Sequence, residues 1–560
     1  MLGKFVNLKP ISNMLYLKSL EESVRNKWNR ICVCNFGGEE FTYADVAAHI
    51  EKFHIFFGKI GISNSDHIAL CAKNTARWAI SFLAINTYRA VVVPILCDFL
   101  PDNINHLVDH SESAVLFTDT DIWEKLDISL MPGLKAVISV NEFKLLYASD
   151  DSVREAFDGI EAAFSAKFPG GFSASDVSYQ RDGDDKDLAL INYTSGTTSA
   201  PKGVMLRYEC IDYMLKFCYD YCHCDENDSV VSMLPMGHIY GLIIEFLYPI
   251  CHSCKICFLG RTPSPTLLLK AMKETRPYLV TTVPLVMEKV YKSSIKPVIS
   301  KWYMKVLLAI PGIGNILYAK IGDKLKDAFG GQVRLFIMGG AAVNPEVEQC
   351  FRRMGLPFTV GYGMTEASPL LAYEEWRKFV LGSCGKQIPG CHVRIDSEDP
   401  ENVVGEIQAK GPNICSGYYK NEEATANAFT PDGYLKTGDL GIMDKDGNIF
   451  IKGRSKNMIL TANGQNIYPE EVEAVINAQP FVAESVVVDR DGKLVALVYL
   501  DKDGIRKAKL DEKSIAEIPE TARINSNRQL PGYSQISKVE IVDEPFEKTP
   551  KLSIKRFLYK

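Results

Sequence analysis

Residues 188–206 read LALINYTSGTTSAPKGVML: an apolar run, a stretch of hydroxyls and glycine, then Pro201-Lys202-Gly203 and a second apolar run. Glycine lets backbone N–H groups converge on one concavity, the hydroxyls add donors, and a lysine brings positive charge. A triphosphate suits such a loop. The spacing is not that of the common phosphate loop, GxxxxGK[ST]. Here the lysine comes six residues after Gly196, and Gly203 follows it where Ser or Thr would stand. Taken alone, the segment is also compatible with a polar turn between two strands.

Other segments carry groups that could meet such a ligand. GYGMTE at 361–366 offers Glu366, a carboxylate of the kind that holds Mg²⁺ together with phosphate oxygens. YLKTGDL at 434–440 holds Asp439, which by itself reads as part of an unremarkable Thr-Gly-Asp turn. MLPMGHIYGL at 233–242 holds His238, which is equally readable as a structural histidine. Two cysteine groups, Cys218, Cys222, His223, Cys224 and Cys251, His252, Cys254, Cys257, loosely suggest zinc. The first group extends a helical pattern and the second sits in a strand-like run, so buried thiols are the simpler reading.

The elements that must position these groups alternate between strand-like and helical patterns, which predicts an α/β fold with largely parallel sheets. HIALCA, AVVVPIL, SAVLFTD and KAVISV read as strands, and residues 78–97 as a buried helix running into a strand. Residues 141–187, rich in Asp, Ser and Gly, read as a surface excursion. QVRLFIMGG ends at Gly339-Gly340, where a ligand can approach the backbone. After about residue 385 the texture is more β-rich. From Met458 onward it is that of a small α+β unit, with a helix opening at Pro469 and strands SVVVDR and KLVALVYL.

At 560 residues the chain has room for more than one core. A hydrophobic fraction of 46%, a charged fraction of 24% and a net charge of -6 without a basic stripe argue against a nucleic-acid partner. Fifteen cysteines and no secretory-type leader point to a reducing, cytoplasmic setting. Residues 302–319, WYMKVLLAIPGIGNILYA, contain one charge, Lys305. They read as core, as the wall of an apolar tunnel, or as a peripheral contact with the inner membrane face.

The string TSGTTSAPKGV is the signature of the adenylate-forming superfamily of acyl-CoA synthetases, firefly-type luciferases and nonribosomal adenylation domains. The other motifs follow in that family's order, so the chain resembles it over its whole length. The resemblance implies a large domain of layered α/β sheets with a β-rich subdomain (1–455) and a small mobile C-terminal α+β domain (456–560). ATP would lie against Thr194, Ser195, Gly196, Thr197, Thr198, Lys202, Gly340, Ala341, Tyr362, Gly363, Thr365, Asp439 and Arg454, with Mg²⁺ at Thr197 and Glu366. Tyr362 would stack on adenine, Thr365 would meet the α-phosphate, and His238 would meet the acid near its carboxylate. Lys456 matches the hinge, and Gly464 the glycine that lines the tunnel for CoA.

The end of the chain departs from the family. Aligning Lys548-Thr549 and Ile554-x-Arg556 in KTPKLSIKR puts Ser553 where a catalytic lysine is expected, with Lys551 and Lys555 on either side. Of the two, Lys555 is the preferred substitute. Residues 338–372 look most like long-chain fatty acid–CoA ligases, and the 233–242 segment lacks an Asp to pair with an amino acid's ammonium group. The expected reaction is therefore fatty acid, ATP and CoA to acyl-CoA, AMP and pyrophosphate. Carrier-protein acceptance and a catalytically weak binding homologue are the alternatives.

Overall fold

The computed structural model describes residues 16–179, 183–194, 201–260, 265–340, 343–460, 466–490, 492–548 and 554–559. Two seven-stranded sheets form the large domain. In the first, Ile31–Asn35, Lys255–Phe258, Ser229–Ser232, Leu279–Thr282, Leu335–Gly339 and Phe358–Gly361 run parallel, with Glu40–Thr42 antiparallel at one edge. In the second, His67–Cys71, Val91–Pro94, Val115–Thr118, Ala136–Ser139 and Leu188–Thr194 are parallel. Leu145–Ala148 and Lys202–Arg207 close its two edges antiparallel.

The helix Ala76–Thr87 packs against strands of both sheets, and only Arg77 on it escapes full burial. Its sequence is mainly apolar on every face, and its polar Ser81, Asn86 and Thr87 bond to carbonyls, as in a helix enclosed on every side. The Thr75 side chain accepts from Trp78 N and caps its start, an interaction worth about 1 kcal/mol. Trp78 and Phe82 stack with ring centres 5.6 Å apart, and Phe246 meets Phe82 edge-on at 5.7 Å. Truncating Phe82 to Ala would cost about 3–5 kcal/mol here, because neither sheet can close into the gap.

The described residues of 141–187 are mostly exposed, as expected of a surface excursion, and carry regular structure. They supply the edge strand Leu145–Ala148 and the helices Asp151–Asp158 and Ile160–Lys167, the first capped by the Asp150 side chain on Val153 N. The polar composition hid a helix that buries only Val153 and Ala156. The strands and the buried helix-to-strand run expected upstream are all present. So is the β-rich unit, an antiparallel sheet of His392–Asp396, Gly405–Lys410, Leu435–Met443 and Ile449–Arg454.

The small unit packs Val482–Arg490, Lys493–Leu500 and Lys538–Val542 against Pro469–Asn477 and Glu512–Asn527 around its own core. It meets the rest of the chain through Lys452–Glu471 at 2.9 Å. Lys292 also donates to the carbonyls of Asn477 and Val482 at 3.2 and 3.4 Å. All fifteen cysteines are free thiols, and among the described residues no group of three potential ligands could hold a metal. No described single helix is long and apolar enough to cross a membrane.

Candidate active site

Parallel α/β sheets present ligands to the carboxyl ends of their strands. Ser229–Ser232 leads there into the 233–238 loop, Leu335–Gly339 into Gly340, and Phe358–Gly361 into the GYGMTE turn. Gly340 has φ +85°, a conformation costly for any residue with a Cβ. Gly363 is held for another reason: a Cβ on it would lie 1.8 Å from the Pro369 carbonyl oxygen. Any side chain there would force the turn open.

The phosphate-type loop joins two antiparallel strands, with Thr194 opposite Lys202 and Thr194 Oγ1 3.4 Å from the Lys202 carbonyl. Ser195, Gly196, Thr197 and Thr198 lie outside the described residues, as do Ala341, Gly464, Lys551 and Ser553. Lys202 stands over the ring of Tyr418, Nζ 4.9 Å from its centre, and Tyr418 Oη donates to Glu366 Oε1 at 2.9 Å. One tyrosine thus sits between the lysine of the loop and the carboxylate of the turn. Burial and the neighbouring Glu366 both push the Tyr418 hydroxyl's pKa up, so it stays a donor.

Residues 413–419 do this positioning, and the sequence reading missed them. Met205 N bonds Gly417 O at 3.0 Å, Ser416 N bonds Met205 O at 3.0 Å, and Tyr419 N bonds Gly203 O at 2.8 Å, a short antiparallel bridge along the edge strand. Cys415 N reaches Glu366 O at 2.8 Å. Asn413 Nδ2 reaches the carbonyls of Ala367 and Leu370 at 3.1 and 2.6 Å. The run thereby ties the loop to the turn. The available signal was Gly417-Tyr418-Tyr419 beside an N-cap, Asn421, at the start of Glu422–Ala428.

A second cluster is held by strand register. Asp439 and Arg454 are direct cross-strand partners, with Arg454 Nε 2.6 Å from Asp439 Oδ1. Tyr362 Oη donates to Asp439 Oδ2 at 2.8 Å. Burial raises the Asp439 pKa, and Arg454 and Tyr362 oppose that rise. The Asp439 side chain is 7% exposed against 47% for Arg454, so the carboxylate is fixed while the guanidinium reaches toward solvent. Such a carboxylate can accept from hydroxyls of a ligand, and Arg454 can face a phosphate or ribose.

His238 lies on a loop that is pinned throughout. Asn74 Nδ2 bonds Leu234 O at 2.6 Å and Asn74 Oδ1 accepts from Met236 N at 3.1 Å, while Asn192 Nδ2 bonds Gly237 O at 2.9 Å. The buried Glu245 accepts from Met233 N and Leu234 N at 2.9 Å each, and from Thr281 Oγ1. Tyr240 Oη bonds Ile337 O at 3.1 Å, which ties the segment after the histidine to the strand ending at Gly339. The cue for Glu245 was a lone acid inside an apolar run, LIIEFLYPI.

Glu366, a carboxylate held by Tyr418 through one of its oxygens, suits Mg²⁺. That ion takes one or two carboxylates and completes its shell with waters and phosphate oxygens. Thr365 is buried beside it in the short helical turn Thr365–Ala367. Lys555, by contrast, is not brought to this cluster by any bond among the described residues: it pairs with Glu547 at 3.2 Å within the small unit. Lys456 stands in the turn Ser455–Asn457 that follows Arg454, where the chain leaves the β-rich sheet.

Comparison with known proteins gives the family of the chain. Residues 20–419 match the family described as AMP-binding enzyme, and 456–559 match the AMP-binding enzyme C-terminal domain. This chain belongs to that family, the adenylate-forming superfamily. It is 28% identical to the long-chain-fatty-acid–CoA ligase FadD15 of Mycobacterium bovis, over 92% of this chain and 90% of that protein. It is 27% identical to long-chain-fatty-acid–CoA ligase 1 of Saccharomyces cerevisiae, over 83% and 72%. The fold is that of ATP-bound MatB from Rhodopseudomonas palustris (TM-score 0.76, 22% identity, 98% of each chain). It is also that of the anthranilate CoA ligase AuaEII with anthranoyl-AMP (TM-score 0.78, 17% identity, 99% and 98%).

Proposed function

We propose that the chain activates a long-chain fatty acid as its acyl-adenylate and passes the acyl group to CoA. The observation that carries this reading is a pair of clusters, Lys202–Tyr418–Glu366 and Tyr362–Asp439–Arg454, both built on the 361–366 turn. Together they offer one cation for phosphates, one carboxylate for a phosphate-bound metal, and one carboxylate with an arginine for a ribose. The fatty acid part is supported by the named relatives. It is also supported by the 233–242 loop, which has no carboxylate next to His238 for an ammonium group.

In the first step the carboxylate oxygen attacks the α-phosphorus, a P–O bond forms, and the bond to the β-phosphate oxygen breaks to release pyrophosphate. Lys202 and the amides and hydroxyls of residues 194–198 neutralise the departing phosphates, and Thr365 contacts the α-phosphate. Bound Mg²⁺, held by Glu366 with Thr197, would supply further charge compensation on those oxygens. His238 orients the acid near its carboxylate. In the second step the CoA sulfur attacks the acyl carbon past Gly464, and AMP leaves. The two steps need different groups at one place, which a rotation of residues 456–560 about Lys456 would supply. The lysine expected at Ser553 is replaced in function by Lys555 or Lys551.

Exchange of labelled pyrophosphate into ATP, dependent on added acid, tests the first step. AMP release with acids of increasing length, with and without CoA, tests substrate and acceptor. Exchange with no acid of any length overturns the adenylation reading, and activity confined to short or aromatic acids overturns the long-chain one.

A further inference from the structure

Residues 302–319 were readable from sequence as core, tunnel wall or membrane contact, and their exposure separates these readings. They form two helices, Trp302–Ala309 and the first part of Ile313–Ala328, bent 117° from each other. Trp302 is 80% exposed, Ile316 59% and Val306 57%, with Tyr303, Ile310 and Ile313 also open to solvent. Only Leu308, Gly314 and Tyr318 within 302–319 turn fully inward. A core helix or a tunnel wall would bury these faces. Seven of the 20 large exposed hydrophobic side chains among the described residues fall between 298 and 316, so the patch is concentrated.

The spacing is helical but turned outside in. Trp302, Val306 and Ile310 follow one face of the first helix and its end, and Ile313 and Ile316 one face of the second. Gly314 permits the sharp corner, since a Cβ there would meet Leu308 O at 2.4 Å. The two exposed apolar faces flank the bend at Ile310-Pro311-Gly312-Ile313.

The charge around the bend is one-sided. Between Glu288 and Asp323 the chain has six lysines and no acidic residue, in a protein whose net charge is -6. Two of the six are engaged inward: Lys292 binds the carbonyls of Asn477 and Val482, and Lys296 pairs with Glu346 at 2.9 Å. Lys289, Lys301, Lys305 and Lys320 are exposed, the last three flanking the apolar bend. An apolar bend carrying Trp and Tyr, flanked by lysines, matches the acyl and headgroup layers of an anionic bilayer surface.

We propose that this bent helix pair docks the protein on an anionic lipid surface, inserting Trp302, Val306, Ile310, Ile313 and Ile316 at headgroup depth. The patch lies in the crossover between Leu279–Thr282 and Leu335–Gly339, two strands whose carboxyl ends face the candidate site. Docking there presents the catalytic unit to a membrane without a spanning helix.

The test is co-sedimentation of the full chain with phosphatidylcholine vesicles, with and without phosphatidylglycerol, at low and high salt. Binding is expected to anionic vesicles, to weaken with salt, and to fall about a hundredfold in Val306→Asp/Ile316→Asp and about tenfold in Lys301→Glu/Lys305→Glu. Quenching of tryptophan emission by bromolipid should be lost in Trp302→Phe. Pyrophosphate exchange with a soluble acid and the melting temperature should stay as in the parent, which separates lost docking from lost folding. Equal binding by parent and Val306→Asp/Ile316→Asp, or no binding to either vesicle, overturns the proposal. So does a concentration-dependent dimer abolished by the same substitutions, because the patch would then be covered by a second copy.

Discussion

The two sides of the candidate site are built differently. On the large-domain side Glu366, Tyr362 and Asp439 are buried and joined to one another's neighbours through Tyr418, Asn413 and Arg454. On the small-domain side Lys555 pairs with Glu547, whose side chain is 65% exposed. Buried, mutually bonded groups are preorganised and lose much when one is removed, whereas exposed ion pairs are worth little and exchange freely. That difference suits a site in which the nucleotide wall stays in place while the closing group must arrive and leave.

The sharpest way to break this comparison is Glu366→Gln. It should lower acid-dependent pyrophosphate exchange about a hundredfold or more, as loss of a preorganised electrostatic group does. Near-normal exchange would remove Glu366 from the phosphate site. On the small-domain side, Lys551→Ala and Lys555→Ala should each cost less than the double variant, which should approach a hundredfold in adenylation rate. If Lys555→Ala alone reaches that loss, the substitute is assigned. Tyr418→Phe keeps the ring under Lys202 but removes the bond to Glu366, and should lower exchange about tenfold, mainly as a raised KM for ATP. An unchanged KM would show that the wall does not depend on this bridge.

The smallest expected effect concerns the loop that carries His238. Burial pushes the Glu245 pKa up to about 7, against 4.5 for an ordinary glutamate. The folded chain therefore holds a proton that the unfolded chain releases in that window, and stability falls as pH rises from 4.5 to 7. Asp212, Glu348 and Glu473 are likewise pushed up to about 7, so Glu245→Gln should remove part of that slope. Melting temperatures across this range are the readout; an unchanged slope means that Glu245 is ionised when folded.

Much of the architecture was legible because its cues are local. HIALCA and KAVISV are short apolar runs bounded by turn residues, and Ala76–Thr87 is mainly apolar on every face, so both announce burial. Asp151–Asp158 was not legible, since its short stripe of Val153, Ala156 and Phe157 stands among five polar residues in a segment rich in Asp, Ser and Gly. In the site, Lys202, Glu366 and Asp439 stood out by motif. Tyr418 did not, because its place depends on residues 413–419 lying along the edge strand Lys202–Arg207, more than two hundred residues away in the chain.

By itself, then, the sequence determined the residue types of an adenylation site, the order of its motifs and the departure at Ser553, all of which are one-dimensional facts. Tertiary structure decided how the loop and the turn are joined, through one tyrosine that belongs to neither. It also decided that the apolar faces of 302–319 point outward. Both outcomes turn on which surfaces meet. A hydrophobic residue reads the same in a buried stripe and an exposed one, and only packing tells them apart.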